Sequence, residues 1–338
     1  MEVRMEEILS FDSLEIGYIT GKNRKVLLPA LKAFATKGEL VAVIGKNGIG
    51  KSTLLRTIAG LQPAIAGILK IGNRNIEDYS RLQLSAQVGY ISTEIIKVSN
   101  MKVYDLVSLG RFPHTNWFGT IDQSNHDAVM DALTKAGMTG FIDRQITELS
   151  DGERQRAMIA MVLAQDAAIM VMDEPTAFLD ISSKYEVIHL MRNLTQWGNK
   201  TIIYSTHDFN TAVSQADKVW FITEEGLLEG APEDIMIRGS FKTLFDESKV
   251  IFNSHDGSFS IRNEFRGKVN IRGEGEKKYW TEKALTRKGY LVSGSSSPIS
   301  VETPSASNVR WRCSMPGKSG EFESIYDLVC WIRDEIIF

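Results

Sequence analysis

Leu40-Val41-Ala42-Val43-Ile44-Gly45-Lys46-Asn47-Gly48-Ile49-Gly50-Lys51-Ser52-Thr53-Leu54-Leu55-Arg56 is the stretch on which the fold turns. A short run rich in Val reads as a buried strand, and an apolar helix-forming run closes the stretch. Between them lies G-x-x-x-x-G-K-S, the phosphate-binding loop pattern. Gly45, Gly48 and Gly50 let the backbone curl with its N–H groups inward, where side chains would obstruct phosphates. Lys46, Asn47, Ile49 and Thr53 belong to the same cradle. The helix beginning near Lys51 aims its positive end at the anion. Lys51 adds a full charge at the β- and γ-phosphates, and Ser52 offers Mg²⁺ the hard oxygen it prefers. The competing reading is a glycine-rich strand-to-helix turn that binds nothing. The flanking strand and helix and the Lys51-Ser52 pair weigh against it.

The 338 residues leave room for one large domain and a small one, or two medium ones. With 43% hydrophobic and 24% charged residues, the composition is that of soluble globular material. A net charge of −3 and a pI near 6.0 give no pull toward nucleic acid, and no nucleic-acid partner is expected. No apolar run approaches the ~18 residues of a membrane-spanning helix. The acidic start Met1-Glu2-Val3-Arg4-Met5-Glu6-Glu7 is unlike a signal peptide, so a cytoplasmic location is expected. Cys313 and Cys330 are too few for a disulfide framework or a zinc site. Two buried thiols are expected, with a redox switch as the alternative.

Outward from the loop, Ile8–Ile19 and the segment around Val26-Leu27-Leu28 read as strands, giving a β-rich start. A helix runs from Ser52 to Gly60, with Gly60 as its stop. Residues 67–72 form a strand, 77–87 a polar helix, and 88–91 a strand. From Met101 to about Glu148 the periodicity is helical, interrupted by an aromatic loop with Phe112, Trp117 and Phe118. Ser150 followed by Glu153 is a capping box opening a helix to about Gln165. An apolar strand then ends in Asp173-Glu174. A helix over 183–197, a strand ending near Thr206-His207-Asp208, and a strand at 218–222 follow. Strands alternating with helices imply a parallel sheet with ligand groups at the strand C-termini. Beyond about Asn253 the character changes, with Ser254–Ser258 as a plausible boundary. Strands are expected over 266–273, 291–293 and 309–312, and helices over 279–288 and 325–337. Residues 293–308 form a Gly/Ser/Pro-rich connection.

The polar strand ends make a set. Asp173 can hold Mg²⁺ through water. Glu174 can orient and deprotonate a water attacking the γ-phosphate. His207 can donate to that phosphate.

In this order, the phosphate loop, Leu149-Ser150-Asp151-Gly152-Glu153, Asp173-Glu174-Pro175-Thr176 and Ser205-Thr206-His207-Asp208 resemble the motifs of ATP-binding cassette (ABC) ATPases over about residues 8–250. The Leu149–Gln155 stretch is the most specific, because phosphate-loop proteins in general lack it. The resemblance implies an α/β fold: an ABC-type phosphate-loop ATPase core with an antiparallel β subdomain and a helical insert, plus a small C-terminal α+β domain. Residues 1–253 are expected to be the ATP-binding domain, with the insert at about 95–165, and 264–338 an accessory domain.

The resemblance further implies ATP and Mg²⁺ as ligands and a head-to-tail homodimer. Ser150, Gly152 and Glu153 of one subunit would face the γ-phosphate held by the other. Tyr18 matches the aromatic that stacks on adenine, and Asp180 the loop that crosses the interface. Two positions depart from the pattern. Thr93, followed by Glu94, stands where the family has a glutamine that serves Mg²⁺ and the attacking water. The signature reads Ser-Asp-Gly-Glu where Ser-Gly-Gly-Gln is common.

Val103-Tyr104-Asp105-Leu106-Val107-Ser108-Leu109-Gly110-Arg111-Phe112-Pro113 resembles a run in ATPases serving iron–siderophore, haem and cobalamin importers. That implies a separate integral-membrane permease, indirectly a substrate-binding protein, and a peripheral place on the cytoplasmic face of the cell membrane. Another ABC transporter class, or a soluble non-transport ABC ATPase, is the alternative. Phe112, Trp117 and Phe118 serve permease docking on one reading and local packing on the other. Trp280, Trp311 and Trp331 read as core tryptophans or as the lining of a pocket.

Overall fold

A computed structural model describes residues 6–21, 23–93, 100–115, 122–239, 250–253, 258–261, 264–294, 297–305 and 309–336. The chain divides into two compact units, Met1–Thr243 with Ser254–Ser258, and Leu244–Asn253 with Phe259–Phe338.

In the first unit β1 (Glu7–Thr20), β2 (Asn23–Thr36), β4 (Ala66–Ile71) and β5 (Arg74–Asn75) make an antiparallel sheet in the order β2-β1-β4-β5. The alternating residues of β1 put Leu9, Phe11, Leu14 and Ile16 inside. A six-stranded sheet follows. It contains β3 (Leu40–Gly45), β6 (Val88–Ile91), β7 (Ile169–Met172), β8 (Thr201–Ser205), β9 (Lys218–Thr223) and β10 (Gly226–Gly230), ordered β10-β9-β3-β8-β7-β6. All its pairings are parallel except β9–β10. β7 and β8 are buried at every position, as near-continuous apolar runs demand when helices cover both faces. One apolar cluster joins the two sheets, with the Phe11 ring edge-on to Trp220 at 5.2 Å.

The helices of this unit are α1 (Lys51–Ile58), α2 (Arg81–Ser85), α3 (Val103–Leu109), α4 (Gln123–Lys135), α5 (Asp151–Ala164), α6 (Ile181–Gln196), α7 (Phe209–Gln215) and α8 (Pro232–Ile237). Gly60 ends α1 as expected. At φ +68° its N–H reaches Thr57 O, and Leu61 N–H reaches Arg56 O, the paired bonds of a glycine stop. The polar helix expected over 77–87 shrinks to the five residues of α2 after a 3₁₀ turn at Ile76–Asp78. Ser80 starts α2 with a capping box, so the chain turns where the pattern read as continuous.

The second unit holds, apart from Ser258, the two-stranded sheet β11 (Val250–Asn253) and β12 (Ser258–Ile261). Its main sheet comprises β13 (Gly267–Arg272), β14 (Tyr290–Val292), β15 (Ile299–Glu302), β16 (Trp311–Met315) and β17 (Lys318–Phe322), ordered β14-β13-β15-β16-β17. The helices are α9 (Gly275–Arg287) and α10 (Ile325–Ile336). Val269, Ile271, Ile299, Val301 and Cys313 meet Ala284, Leu285, Leu328, Val329 and Ile332 in a separate core. Its central strand, β15, lies inside the stretch expected to be a connection. Trp311 is half-buried and donates to Thr281 Oγ1 at 3.0 Å, and Trp331 packs on Phe322. Trp280 is 59% exposed and so is not a core tryptophan. Cys313 is buried, Cys330 half-buried, and both are free.

Candidate nucleotide site

The loop between β3 and α1 sits at the C-terminal edge of the parallel sheet, where open α/β sheets bind ligands. Gly45, Gly48 and Gly50 have φ of +158°, +78° and +117°, so at Gly48 and Gly50 an L side chain would be strained. At Gly45 a Cβ would also stand 2.7 Å from Ile222 O. Lys51 is buried and folds its amine back onto Gly45 O (2.9 Å) and Lys46 O (3.2 Å). Burial pushes its pKa down, and the nearby Glu174 and Asp173 carboxylates push it back up. Among the described residues no side chain caps the N-terminus of α1.

Asp173 follows β7 and is 4% exposed. Its Oδ1 accepts from Ser52 Oγ at 3.0 Å and from Ser205 Oγ at 2.6 Å. The same Ser205 oxygen accepts the Glu174 N–H at 2.9 Å. One buried hydroxyl therefore fixes both the Asp173 carboxylate and the Glu174 backbone. The sequence reading quoted Ser205 within the Ser205-Thr206-His207-Asp208 run but gave it no role in the site. A further signal was its place as a polar residue at the C-terminal end of the apolar run Ile202-Ile203-Tyr204, on the strand beside β7. Glu174 itself has φ +47°, unusual for a residue with a Cβ, and Ala177 N–H closes the turn onto Glu174 O. His207 Nδ1 lies 3.3 Å from Glu174 Oε2.

A cavity of about 470 Å³ opens over these groups, lined by Tyr18, Asn47, Gly48, Gly50, Lys51, Ser52, Thr53, Glu174 and His207, with Leu27. Tyr18, half exposed, stands 3.4 Å from Thr53 Oγ1. Glu174 also lines a smaller cavity of about 90 Å³ with Thr93, Gln155 and Phe178. Thr93 thus shares this second cavity with Glu174, and Glu94 lies outside the described residues, as do Trp117 and Phe118. Phe112 is 76% exposed.

Ser150, Gly152 and Glu153 line neither cavity. Ser150 caps α5: its Oγ accepts the Glu153 N–H, and the Glu153 carboxylate accepts the Ser150 N–H at 2.8 Å. Those bonds hold the Glu153 pKa below the usual carboxylate range. Gly152 has a reason within its own chain. A Cβ there would meet Ser183 Oγ at 2.7 Å and Ser183 Cβ at 2.8 Å, so α5 and α6 approach closely at this point. Ser183 is itself held by Asp180, which caps α6.

Ser52 and Asp173 give two hard-oxygen donors side by side, a fit for Mg²⁺, which takes few protein ligands and completes its shell with phosphate and water. A glycine loop, its buried lysine, a strand-end carboxylate pair and an adjacent histidine define a phosphate-loop nucleotide hydrolase.

The comparisons narrow that class. The ABC transporter family profile matches residues 30–177, and that of the iron ABC transporter C-terminal domain matches residues 266–333. The chain is 34% identical over 242 residues to the petrobactin import ATP-binding protein FpuD of Bacillus anthracis, covering 71% of this chain and 87% of that one. It is 34% identical to the ferric enterobactin transport ATP-binding protein FepC of Escherichia coli, covering 67% and 82%. Among solved structures, cbiO1 of Clostridium perfringens, part of the transporter complex cbiONQ, matches with TM-score 0.60 at 26% identity, covering 71% and 95%. The chain belongs to the ATP-binding proteins of ABC transporters, a family that binds and hydrolyses ATP.

Proposed function

We propose that this chain is the ATP-hydrolysing subunit of an importer for a metal chelate, a ferric siderophore, haem or cobalamin. The observation that carries the reading is the match of residues 266–333 to the iron ABC transporter C-terminal domain, behind a cassette whose relatives are named for petrobactin and ferric enterobactin. In this reading residues 1–253 are the cassette and 264–338 the accessory domain. The chain works as a homodimer with a separate membrane permease and, indirectly, a substrate-binding protein. It sits peripherally on the cytoplasmic face of the cell membrane. No described helix is long and apolar enough to cross one.

The site divides the work as follows. Tyr18 stacks on the adenine. Gly45, Lys46, Asn47, Gly48, Ile49, Gly50 and Thr53 cradle the phosphates with backbone N–H groups, and Lys51 leaves its own loop's carbonyls for the β- and γ-phosphates. Ser52 and Asp173 hold Mg²⁺, which when bound neutralises charge building on the phosphate oxygens. Glu174 orients a water and takes its proton as the oxygen attacks the γ-phosphorus and the bond to the β-phosphate oxygen breaks, leaving ADP and phosphate. His207, beside Glu174, donates to the γ-phosphate oxygens. Ser150, Gly152 and Glu153 present the N-terminus of α5 to the nucleotide held by the second subunit. Thr93 contributes its hydroxyl where the family has an amide, beside the water that Glu174 activates.

Glu174→Gln keeps shape and removes the base. It is expected to abolish turnover and to trap a closed dimer with ATP, read by phosphate release and light scattering. Wild-type turnover in that variant would remove Glu174 from its role. Reconstitution with the cognate permease, tested on ferric siderophores, haem and cobalamin, identifies the cargo. An ATPase rate indifferent to all three would refute the importer reading.

A further inference from the structure

The main sheet of the second unit buries one face and leaves the other uncovered by its own helices. Val269, Ile271, Ile299, Val301 and Cys313 point to α9 and α10. Because side chains alternate along a strand, the residues between them stand on the opposite pleat.

The strand register aligns those residues in rows. Arg272 pairs with Glu302, Glu302 with Arg312, and Arg312 with Glu321. One row across four strands therefore reads plus, minus, plus, minus. The next row pairs Asn270 with Ser300, Ser300 with Ser314, and Ser314 with Ser319, all small and polar. All four charged residues are exposed. A groove of about 450 Å³ runs over this face, lined by Arg272, Glu302, Arg312, Glu321 and the three serines. Arg312 Nε donates to Glu321 at 2.7 Å, whereas Arg272 and Glu302 make no ion pair among the described residues.

We propose that this face is an interface between two copies of the chain. A two-fold axis lying between two stacked sheets, parallel to their strands, reverses the order of the row. Arg272 then faces the partner's Glu321, and Glu302 the partner's Arg312, with the reciprocal pairs completing four ion pairs at once. An alternating row with an even number of charges is self-complementary under this operation. A row of three or five would set like against like. The interface is isologous, as closed dimers require, and stacked sheets pack aligned in this way. The short Asn270-Ser300-Ser314-Ser319 row lets the sheets come closer than the usual ~10 Å. Four strands about 4.8 Å apart offer a patch at the small end of specific interfaces. The contact is therefore micromolar and sensitive to salt. Its use is to keep two cassettes at high effective concentration between rounds of ATP-driven closure.

The test is sedimentation velocity of the full-length chain without nucleotide. Wild type is expected to dimerise at tens of micromolar and to dissociate as salt rises. The all-positive variant E302R/E321R and the all-negative variant R272E/R312E are each expected to remain monomeric. Mixed in equal amounts, they are expected to re-form the dimer, because opposite rows then face one another. A wild type that stays monomeric overturns the proposal. So does either variant dimerising as well as wild type, or a mixture of two folded variants that fails to associate. Should a charge variant fail to fold, S314W, which adds bulk and leaves the charge alone, carries the same test: dimer retained overturns the proposal. No substitution touches the cassette. Binding of a fluorescent ATP analogue by each variant therefore reports separately on the nucleotide site.

Discussion

At the scale of single residues, Ser205 is the least conspicuous member of the site and one of the most constrained. Its hydroxyl donates to Asp173 and accepts from the Glu174 backbone, so it braces both the carboxylate proposed to hold Mg²⁺ and the residue proposed as the base. Outer partners of metal ligands typically tune affinity 10–100-fold. Ser205→Ala is expected to raise the Mg²⁺ concentration for half-maximal ATPase by about that factor, measured by Mg²⁺ titration. An unchanged titration would reduce Ser205 to packing. Thr93 invites the opposite experiment. Thr93→Gln restores the family's amide beside Glu174, and turnover of the isolated chain is expected to rise. An equal or lower rate would show that the hydroxyl already suffices. Motif residues such as Lys51 and Ser52 were legible in the sequence because their spacing is diagnostic. Ser205 stood in the quoted Ser-Thr-His-Asp run, but its bonds were not legible, since its partners Glu174 and Asp173 lie 31 and 32 positions away.

At the scale of elements, α5 and α6 are coupled where they cross. Gly152 admits Ser183, and Arg156 pairs with Glu186. Gly152→Ala must push the helices apart. Overpacking of this kind destabilises by about 1–3 kcal/mol. Ser183→Gly in the same chain opens space for the added methyl and is expected to recover most of that loss in a thermal melt. No loss in the single variant would mean that the helices can slide freely here. The α5 cap adds a pH signature. The Glu153 carboxyl is held below its ordinary pKa by the bonds it makes with Ser150, so the ionised carboxylate stabilises the folded chain. That contribution is complete above the unfolded carboxylate pKa and is lost as pH falls through the lower folded value. Glu153→Gln is therefore expected to flatten the acid limb of the stability curve, read from melts between about pH 6 and pH 3. Long, strongly patterned elements such as β3, α5 and β7 were legible. The strands β10, β15 and β17 were not. β15 is four residues long, and its alternation of Ile299 and Val301 with Ser300 and Glu302 is lost among glycine, serine and proline. Only its neighbours β13 and β16 make it the centre of a sheet.

At the scale of the whole molecule, the two units have cores with no residue in common. Domains with separate cores commonly unfold as separate steps. Calorimetry is expected to resolve two transitions, and saturating ATP analogue with Mg²⁺ to raise only the cassette's, by about 2.7 kcal/mol at a hundredfold excess over Kd. A single transition shifting as one would show that the units stand or fall together. One backbone angle has a wider consequence. Glu174 holds a left-handed conformation that a Cβ disfavours by about 1–2 kcal/mol and glycine adopts freely. A breeder selecting this chain only for endurance in heat would be drawn to glycine at that position. The hardier protein would have lost the carboxylate proposed as its base, so on that proposal the molecule keeps a weak spot in its skeleton as the condition of being an enzyme.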